Sequence, residues 1–186
     1  MITLLITIGI IVLLMIVLTA FFVSTYNKLV KLREMVRNSR GQIATQVESR
    51  WDALTNLIQA TKQYSIHESE TLENIVKQRS SLSGNMTPED FNKSEDMFQN
   101  SLGRLIAIAE SYPDLKASEV YKQTMVSVDK YEKNVRLSRM SYNDTVTKYN
   151  QQVIKIPTNI IASLMNFTQE PYFEASESKR EMPSWE

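Results

Sequence analysis

The chain has no cysteine, and only one histidine, four glycines and five prolines among its 186 residues. The missing thiols exclude disulfide frameworks, thiolate metal sites and cysteine nucleophiles. So little glycine and proline leaves few points at which a helix must stop. That argues for few, long helices and against an all-β or α/β domain with its many turns. A single histidine, His67, gives little for a metal or acid–base site, and no HExxH, EF-hand, Walker-type phosphate loop or GxSxG motif occurs. Charge of one sign is lacking too. The 21 basic residues balance 21 acidic ones, so no global charge points to nucleic acid.

What is there begins with an unbroken apolar run. Ile2 to Val23 reads ITLLITIGIIVLLMIVLTAFFV without a charge. Spanning a bilayer core takes about 20 apolar residues as helix, so the run suffices with slight tilt. A cleaved signal peptide has a basic leader, an apolar core of roughly 7–15 residues and a small-x-small cleavage site. Here only Met1 precedes the core, the core is longer, and Phe21-Phe22-Val23 is a poor cleavage context. A retained transmembrane anchor over residues 1–25 is expected. Phe21, Phe22 and Tyr26 fall where an interfacial aromatic belt lies, and Lys28, Lys31, Arg33, Arg37 and Arg40 follow. No basic side chain precedes the span, so the positive-inside rule puts the N-terminus outside and the bulk of the chain in the cytoplasm. The basic cluster either sets this topology alone or also attracts anionic lipid, worth about 1 kcal/mol per residue near the surface.

Beyond the anchor the apolar residues follow a sevenfold rhythm. Leu29, Val36, Ile43, Leu57 and Tyr64 recur at that spacing with Arg50 in the remaining slot, and Val47, Trp51, Leu54 and Ile58 fill the neighbouring column. This predicts one helix, continuous with the anchor and about 60 Å long outside the membrane. Ser65-Ile66-His67-Glu68 matches a capping box that would start a second helix, Glu68 to about Ser83. Glu68, Glu70 and Glu73 sit in its first turns, where acids favour the positive end of the helix dipole, so they read as capping groups rather than catalytic ones. Thr87-Pro88-Glu89-Asp90 opens a third helix, with Thr as N-cap, Pro at the first position and acids in the first turn. Phe91, Met97, Phe98, Leu102, Leu105, Ile106 and Ala109 line one side of it, and Tyr112-Pro113-Asp114 ends it.

Ser118-Glu119 opens a fourth helix with no breaker before Pro157. Tyr121, Val128, Val135, Tyr142, Tyr149 and Ile156 repeat every seventh residue, and Met125, Val146 and Val153 extend a second column whose middle holds Glu132 and Arg139. A stripe this long favours near-antiparallel, coiled-coil-like packing, which those two charges weaken unless a neighbouring helix pairs them. The expected fold is all-α: a transmembrane helix continuous with an antiparallel bundle of four helices, two long and two short. The bundle covers 26–156, a short apolar helix 157–167 and a mobile tail 168–186.

Helix lengths shape the functional reading. The first and fourth helices measure about 60 and 58 Å, the second and third only about 24 and 36 Å, so the two long helices are left as a membrane-proximal stalk. Two helices cannot cover each other's stripes. The stalk therefore needs a second copy, the Ile160–Phe167 segment or a different protein. Val36, Ile43, Tyr142, Val146, Tyr149 and Val153 are the candidate partner surface, and Phe21, Phe22, Tyr26, Lys28, Lys31 and Arg33 the candidate membrane interface. The pairs Tyr26-Asn27, Tyr142-Asn143 and Tyr149-Asn150 either present a polar-aromatic surface to a partner or fix register inside a packed stalk. Catalysis would need a cluster formed across helices, such as Glu132 and Arg139 opposite Arg50 or Glu48.

Several segments carry a family resemblance. YNKLVKLREMV (26–36), YSIHESETLENIVKQR (64–79), ESYPDLKAS (110–118), RMSYNDTVTKYN (139–150) and IPTNIIASLMNFTQEPYF from 156 to 173 resemble the LemA family, in order and over nearly the whole chain. The resemblance implies a bacterial single-pass protein of the cytoplasmic membrane with an antiparallel helical bundle, and it implies no reaction. One stretch departs from the family pattern: in VESRWDALTNLI (47–58), Thr55 stands where a proline is usual and Trp51 intrudes, so the first helix should run straighter. Of the family's basic residues there, Arg50 alone remains. The expected function is a membrane-tethered interaction or scaffold protein without catalysis, cofactor or metal, its partner a protein besides the bilayer. A self-assembling structural protein and a lipid-surface-binding module are the rival readings.

Overall fold

A computed structural model describes residues 1–61 and 87–173. Five helices follow one another: α1 (Ile2–Thr61), α2 (Pro88–Ser111), α3 (Pro113–Ala117), α4 (Glu119–Ile154) and α5 (Thr158–Leu164). No strand occurs among the described residues, and the chain is all-α. The expected second helix, with Tyr64, His67 and the Ser65–Glu68 capping box, lies outside the described residues, as do residues 174–186 of the expected tail.

α1 runs unbroken through the apolar segment and on to Thr61. Its apolar part is long enough to cross a membrane: the most apolar window has a mean hydropathy of 3.0, and none of it is buried against protein. Thr55, in place of a helix-bending proline, donates its hydroxyl to the Trp51 carbonyl at 2.8 Å, a bond that keeps the polar group satisfied within the helix.

The described residues form two compact units. One holds Met1–Arg37 and Asp144–Pro171; the other holds the described residues of Asn38–Asn143 and of Tyr172–Glu186. In the second unit α1 and α4 run antiparallel. Arg40 donates to the Tyr142 hydroxyl, Asn134 to the Gln46 side chain and Arg50 to Glu132, so numbering rises along α1 as it falls along α4. Their facing stripes, with that of α2, make the core: Ile43, Val47, Trp51, Leu54, Leu57 and Ile58 from α1, Phe91, Phe98, Leu105 and Ala109 from α2, and Val128, Val135 and Tyr142 from α4. Each large apolar side chain fully buried this way contributes roughly 1.5–3 kcal/mol before chain entropy is counted. Trp51 fits the packed seam by donating its indole N–H toward Ser94 Oγ at 3.4 Å and meeting Phe98 edge-on at 5.4 Å.

In the first unit, Thr25, Leu29 and Val36 of α1 are buried with Thr145, Val146, Tyr149 and Asn150 of α4. The remaining side is closed by Ile161 and Ala162 of α5 and by Phe167. Of the three ways of covering the stripes of the two long helices, this unit uses the chain's own Ile160–Phe167 segment. Thr158 fixes the corner by donating its hydroxyl to the Gln152 and Lys155 carbonyls at 2.6 and 2.8 Å. α5 ends in a Schellman motif: Asn166 takes the left-handed conformation at φ 55°, its N–H meets the Ser163 carbonyl, and the Phe167 N–H reaches the Ala162 carbonyl at 2.9 Å. The motif delivers the Phe167 ring into the unit, where it meets Tyr26 edge-on at 6.0 Å under the Arg33 guanidinium at 4.8 Å.

The start of α2 follows the sequence expectation closely. Thr87 is the N-cap, its hydroxyl accepting the Asp90 N–H, while the Asp90 carboxylate accepts the Thr87 N–H and hydroxyl. Those bonds to the charged form hold the Asp90 carboxyl below the usual carboxylate range. The sign follows: the cap's contribution is complete above the ordinary aspartate value and fades as pH falls through the depressed one. Replacing Thr87 by alanine should cost about 1 kcal/mol, read as a lower urea midpoint with unchanged slope for the full-length chain in detergent.

Candidate functional site

Helical seams bury charge only when the counter-charge arrives with it, because an unpaired buried ion costs several kcal/mol. Arg50 has no exposed surface. It sits on the α1 stripe where the sevenfold pattern calls for an apolar residue, and two carboxylates reach it. Its Nη2 donates to Glu95 of α2 at 2.9 Å and its Nη1 to Glu132 of α4 at 2.5 Å. The flat face of the guanidinium lies 4.0 Å from the Phe98 ring centroid, a cation–π contact in a desolvated place. Gln99 donates to the other oxygen of Glu95 at 2.9 Å.

Arg139, seven residues or about two turns on from Glu132 along α4, completes the cluster. Its guanidinium stands 4.9 Å from the Phe91 ring centroid. Burial pushes it below its ordinary value, Glu95 and Glu132 pull it back, and Arg50 opposes them. Two cations and two anions thus share one site across three helices. The structure brings together Glu132, Arg139 and Arg50, the residues across which catalysis would have needed a cluster, and adds Glu95; Glu48 is exposed. The signal for Glu95 was present in the sequence. It stands between Phe91 and Phe98 on the apolar side of α2, where a solvated acid would not be expected.

Chemically, the cluster is closed on itself. Each glutamate accepts from Arg50; the Glu95 side chain is buried and that of Glu132 is 27% exposed. An open cleft of about 320 Å³ in the same unit is lined by Ser49, Asp52, Asn56, Gln123, Thr124, Ser127 and Tyr131 among others, with Asp52 as its one carboxylate. Among the described residues no group of three His, Asp or Glu side chains could hold a metal ion.

The candidate partner surface is placed differently from expectation. Val36, Ile43, Tyr142, Val146 and Tyr149 are buried and Val153 is half-buried, so this stripe is core and not a face open to a partner. In the first unit Ile161 and Ala162 of α5 and Phe167 are buried with Val36, Val146 and Tyr149, and in the second unit Phe173 packs against Tyr142. The large apolar side chains that face outward on α4 in the second unit are Val120, 48% exposed, and Val126, Leu137 and Met140, 60–69% exposed. Of the candidate membrane-interface residues, Phe21, Lys28, Lys31 and Arg33 are exposed and Phe22 and Tyr26 half-buried.

Two asparagines do what the sequence reading of the Tyr-Asn pairs left open. In the second unit Asn143 donates its amide to the Phe173 carbonyl at 3.0 Å and accepts the Phe173 N–H at 2.9 Å. The Phe173 ring is buried against Tyr142 at 4.6 Å and Phe91 at 5.2 Å, both edge-on. In the first unit Asn150 treats Glu170 the same way, donating to its carbonyl and accepting its N–H at 2.9 Å each. A side-chain amide has the donor and acceptor of a peptide group, so each asparagine satisfies extended backbone as a neighbouring strand would. Residues 168–173 therefore do not belong to a mobile tail; the packed chain extends to Phe173. Sequence offered only the two Tyr-Asn steps at sevenfold spacing, with nothing to identify their partner. Beside Asn150, burial raises the Tyr149 phenol above its usual value, Glu170 raises it further and Arg33 lowers it.

The charge cluster makes a stability prediction. Arg50→Met takes from buried Glu95 its ion-pair partner, leaving it the Gln99 amide and the nearby Arg139 charge, and should cost about 3 kcal/mol of unfolding free energy. Adding Glu95→Leu and Glu132→Gln removes both acids but leaves Arg139 without them, so it should recover only part of that loss, measured by chemical unfolding of the full-length chain in detergent.

Comparison with known proteins agrees with this architecture. Magnetosome protein MamQ 2 of Paramagnetospirillum magneticum is 35% identical over 77 residues, 41% of this chain and 28% of that protein. The MamQ protein of Magnetospirillum gryphiswaldense is 34% identical over 76 residues, again covering 28% of its length. The chain thus matches little more than a quarter of the magnetosome proteins. Protein LemA of Metamycoplasma hominis is 26% identical over 163 residues, 86% of this chain and 73% of the relative. None of these relatives is named for a reaction. The LemA family model matches residues 39–186, most of the chain and all of the described bundle beyond the first unit's share of α1. This membrane-associated, all-helical chain with its single N-terminal apolar helix belongs to the LemA family.

Proposed function

We propose that the protein is a membrane-tethered interaction or scaffold protein with no catalysis of its own, held on the cytoplasmic side of a bacterial membrane by α1. The observation that carries this reading is the closed Arg50–Glu95–Glu132 network. The one cross-helix cluster suggested as a place for catalysis has both carboxylates engaged by a buried guanidinium, which suits a structural part. The orientation rests on Lys28, Lys31, Arg33, Arg37 and Arg40, which closely follow the apolar run. Since the stripe from Val36 to Val153 is consumed in the core, the surface offered to a protein partner is the outward line of α4. There Val126, Leu137 and Met140 stand among Lys130 and Lys133. Exposed Asp129 stands there too, so the apolar side chains have a mixed-charge surround, which suits a partner with a partly apolar face.

Photoreactive groups placed at Leu137 and Met140 in living cells test the reading, with Tyr142 as a buried control. Intermolecular adducts from the two outward positions and only intramolecular ones from Tyr142 are expected. Adducts solely between copies would turn the reading toward a self-assembling structural protein, and no intermolecular adduct from either position would overturn it.

A further inference from the structure

An anchored protein is held by its transmembrane helix alone unless other side chains also reach lipid. In the first unit a second set is present. Ile160 and Leu164 stand one turn apart on α5 and are 66% and 69% exposed, while Ile161 and Ala162 on its other side are buried. Ile156, at the corner before α5, is 76% exposed, and Ile154 at the end of α4 is 57% exposed. Clustered large aliphatic side chains this open to solvent mark a contact surface.

Continuity with the anchor identifies what covers them. Phe167 is fixed three residues after Leu164 by the Schellman motif, and its ring lies against Tyr26 at 6.0 Å. Tyr26 is three residues beyond Val23, the last residue of the apolar run, or about 4.5 Å further along the helix axis. A bilayer's headgroup region is of that order: its full thickness of about 40–45 Å exceeds the hydrocarbon core by roughly 5–8 Å on each side. α5 is thereby tied to α1 at the depth where the anchor leaves the acyl chains. Lys28 and Lys31 on α1 and Lys155 beside Ile156 are exposed in the same unit, in keeping with an anionic lipid surface.

We propose that Ile156, Ile160 and Leu164 form a second, monotopic membrane contact, inserting among lipid chains beside the anchor and fixing the unit on the bilayer surface. The contact does not depend on the scaffold reading and would hold for either orientation of α1.

The absence of native cysteine makes the test clean. Single cysteines replacing Ile160, Leu164 and, as an outward control, Val126 are spin-labelled in the full-length protein in phosphatidylcholine–phosphatidylglycerol vesicles. Labels at 160 and 164 should be more accessible to oxygen than to a water-soluble nickel chelate, and the label at 126 the reverse. A bimane at 160 should be quenched by brominated lipid, and that quenching should be lost on Leu164→Glu with the far-ultraviolet spectrum unchanged. Labels at 160 and 164 open to the nickel chelate would overturn the proposal. So would labels shielded from both reagents, or showing dipolar broadening between copies, since these would report a protein neighbour in place of lipid.

Discussion

Arg50 has no exposed surface, and three helices must meet around it. α1 supplies the guanidinium, α2 the Glu95 carboxylate and α4 the Glu132 carboxylate. An apolar seam tolerates small errors of register, since one leucine can replace another as a neighbour. A buried ion does not, because a slip of one residue would leave a charge without its partner at a cost of several kcal/mol. The bidentate geometry around Arg50 thus selects one register among the many that a sevenfold stripe allows. Trp51, next along α1, adds an indole that must find Ser94, and Gln46 and Asn134 add an amide pair. Polar groups spaced along an apolar seam give a long bundle one arrangement.

Much of this was legible in the sequence, and the reasons are local. Propensity, the apolar run and the Thr87–Asp90 capping box depend on residues within a turn of one another, so α1, α2 and α4 begin and end close to where their residues say. The need for Glu132 to find a partner was also legible, because an acid in the middle of an apolar column cannot remain unpaired. Its pairing with Arg50 required only that two long helices run antiparallel. Harder to see was the fate of the stripe from Val36 to Val153. Its apolar residues announce burial, but the sequence does not say whether the chain itself or another protein supplies the cover. Here the cover comes from Ile161, Ala162 and Phe167, whose placement depends on the turn at Thr158 and the left-handed Asn166. Hardest was Phe173. It lies in a polar, proline-containing stretch with the composition of a tail, and what holds it is the amide of Asn143 reading backbone, which leaves no trace in side-chain periodicity.

These features suit the proposed reading of this LemA-family protein as a scaffold. Arg50, Glu95, Glu132 and Arg139 serve register, and Tyr26, Tyr142, Phe91, Phe98, Phe167 and Phe173 pack edge-on. Asn143 and Asn150 are spent on the backbone of Phe173 and Glu170. Among the described residues, those that face the surroundings include the apolar run of α1, the aliphatic side chains of α5 and its approach, and the outward line of α4.

The central claim is that the buried charge cluster holds the scaffold while the outer face of α4 meets the partner. Comparing in-cell adducts from photoreactive groups at Leu137 and Met140 in the native background and in the Arg50→Met, Glu95→Leu, Glu132→Gln background tests it most directly. The account predicts the same adducts in the same proportion in both. Loss of the adducts from a triple variant that remains folded would contradict it, and would make the cluster itself the working site.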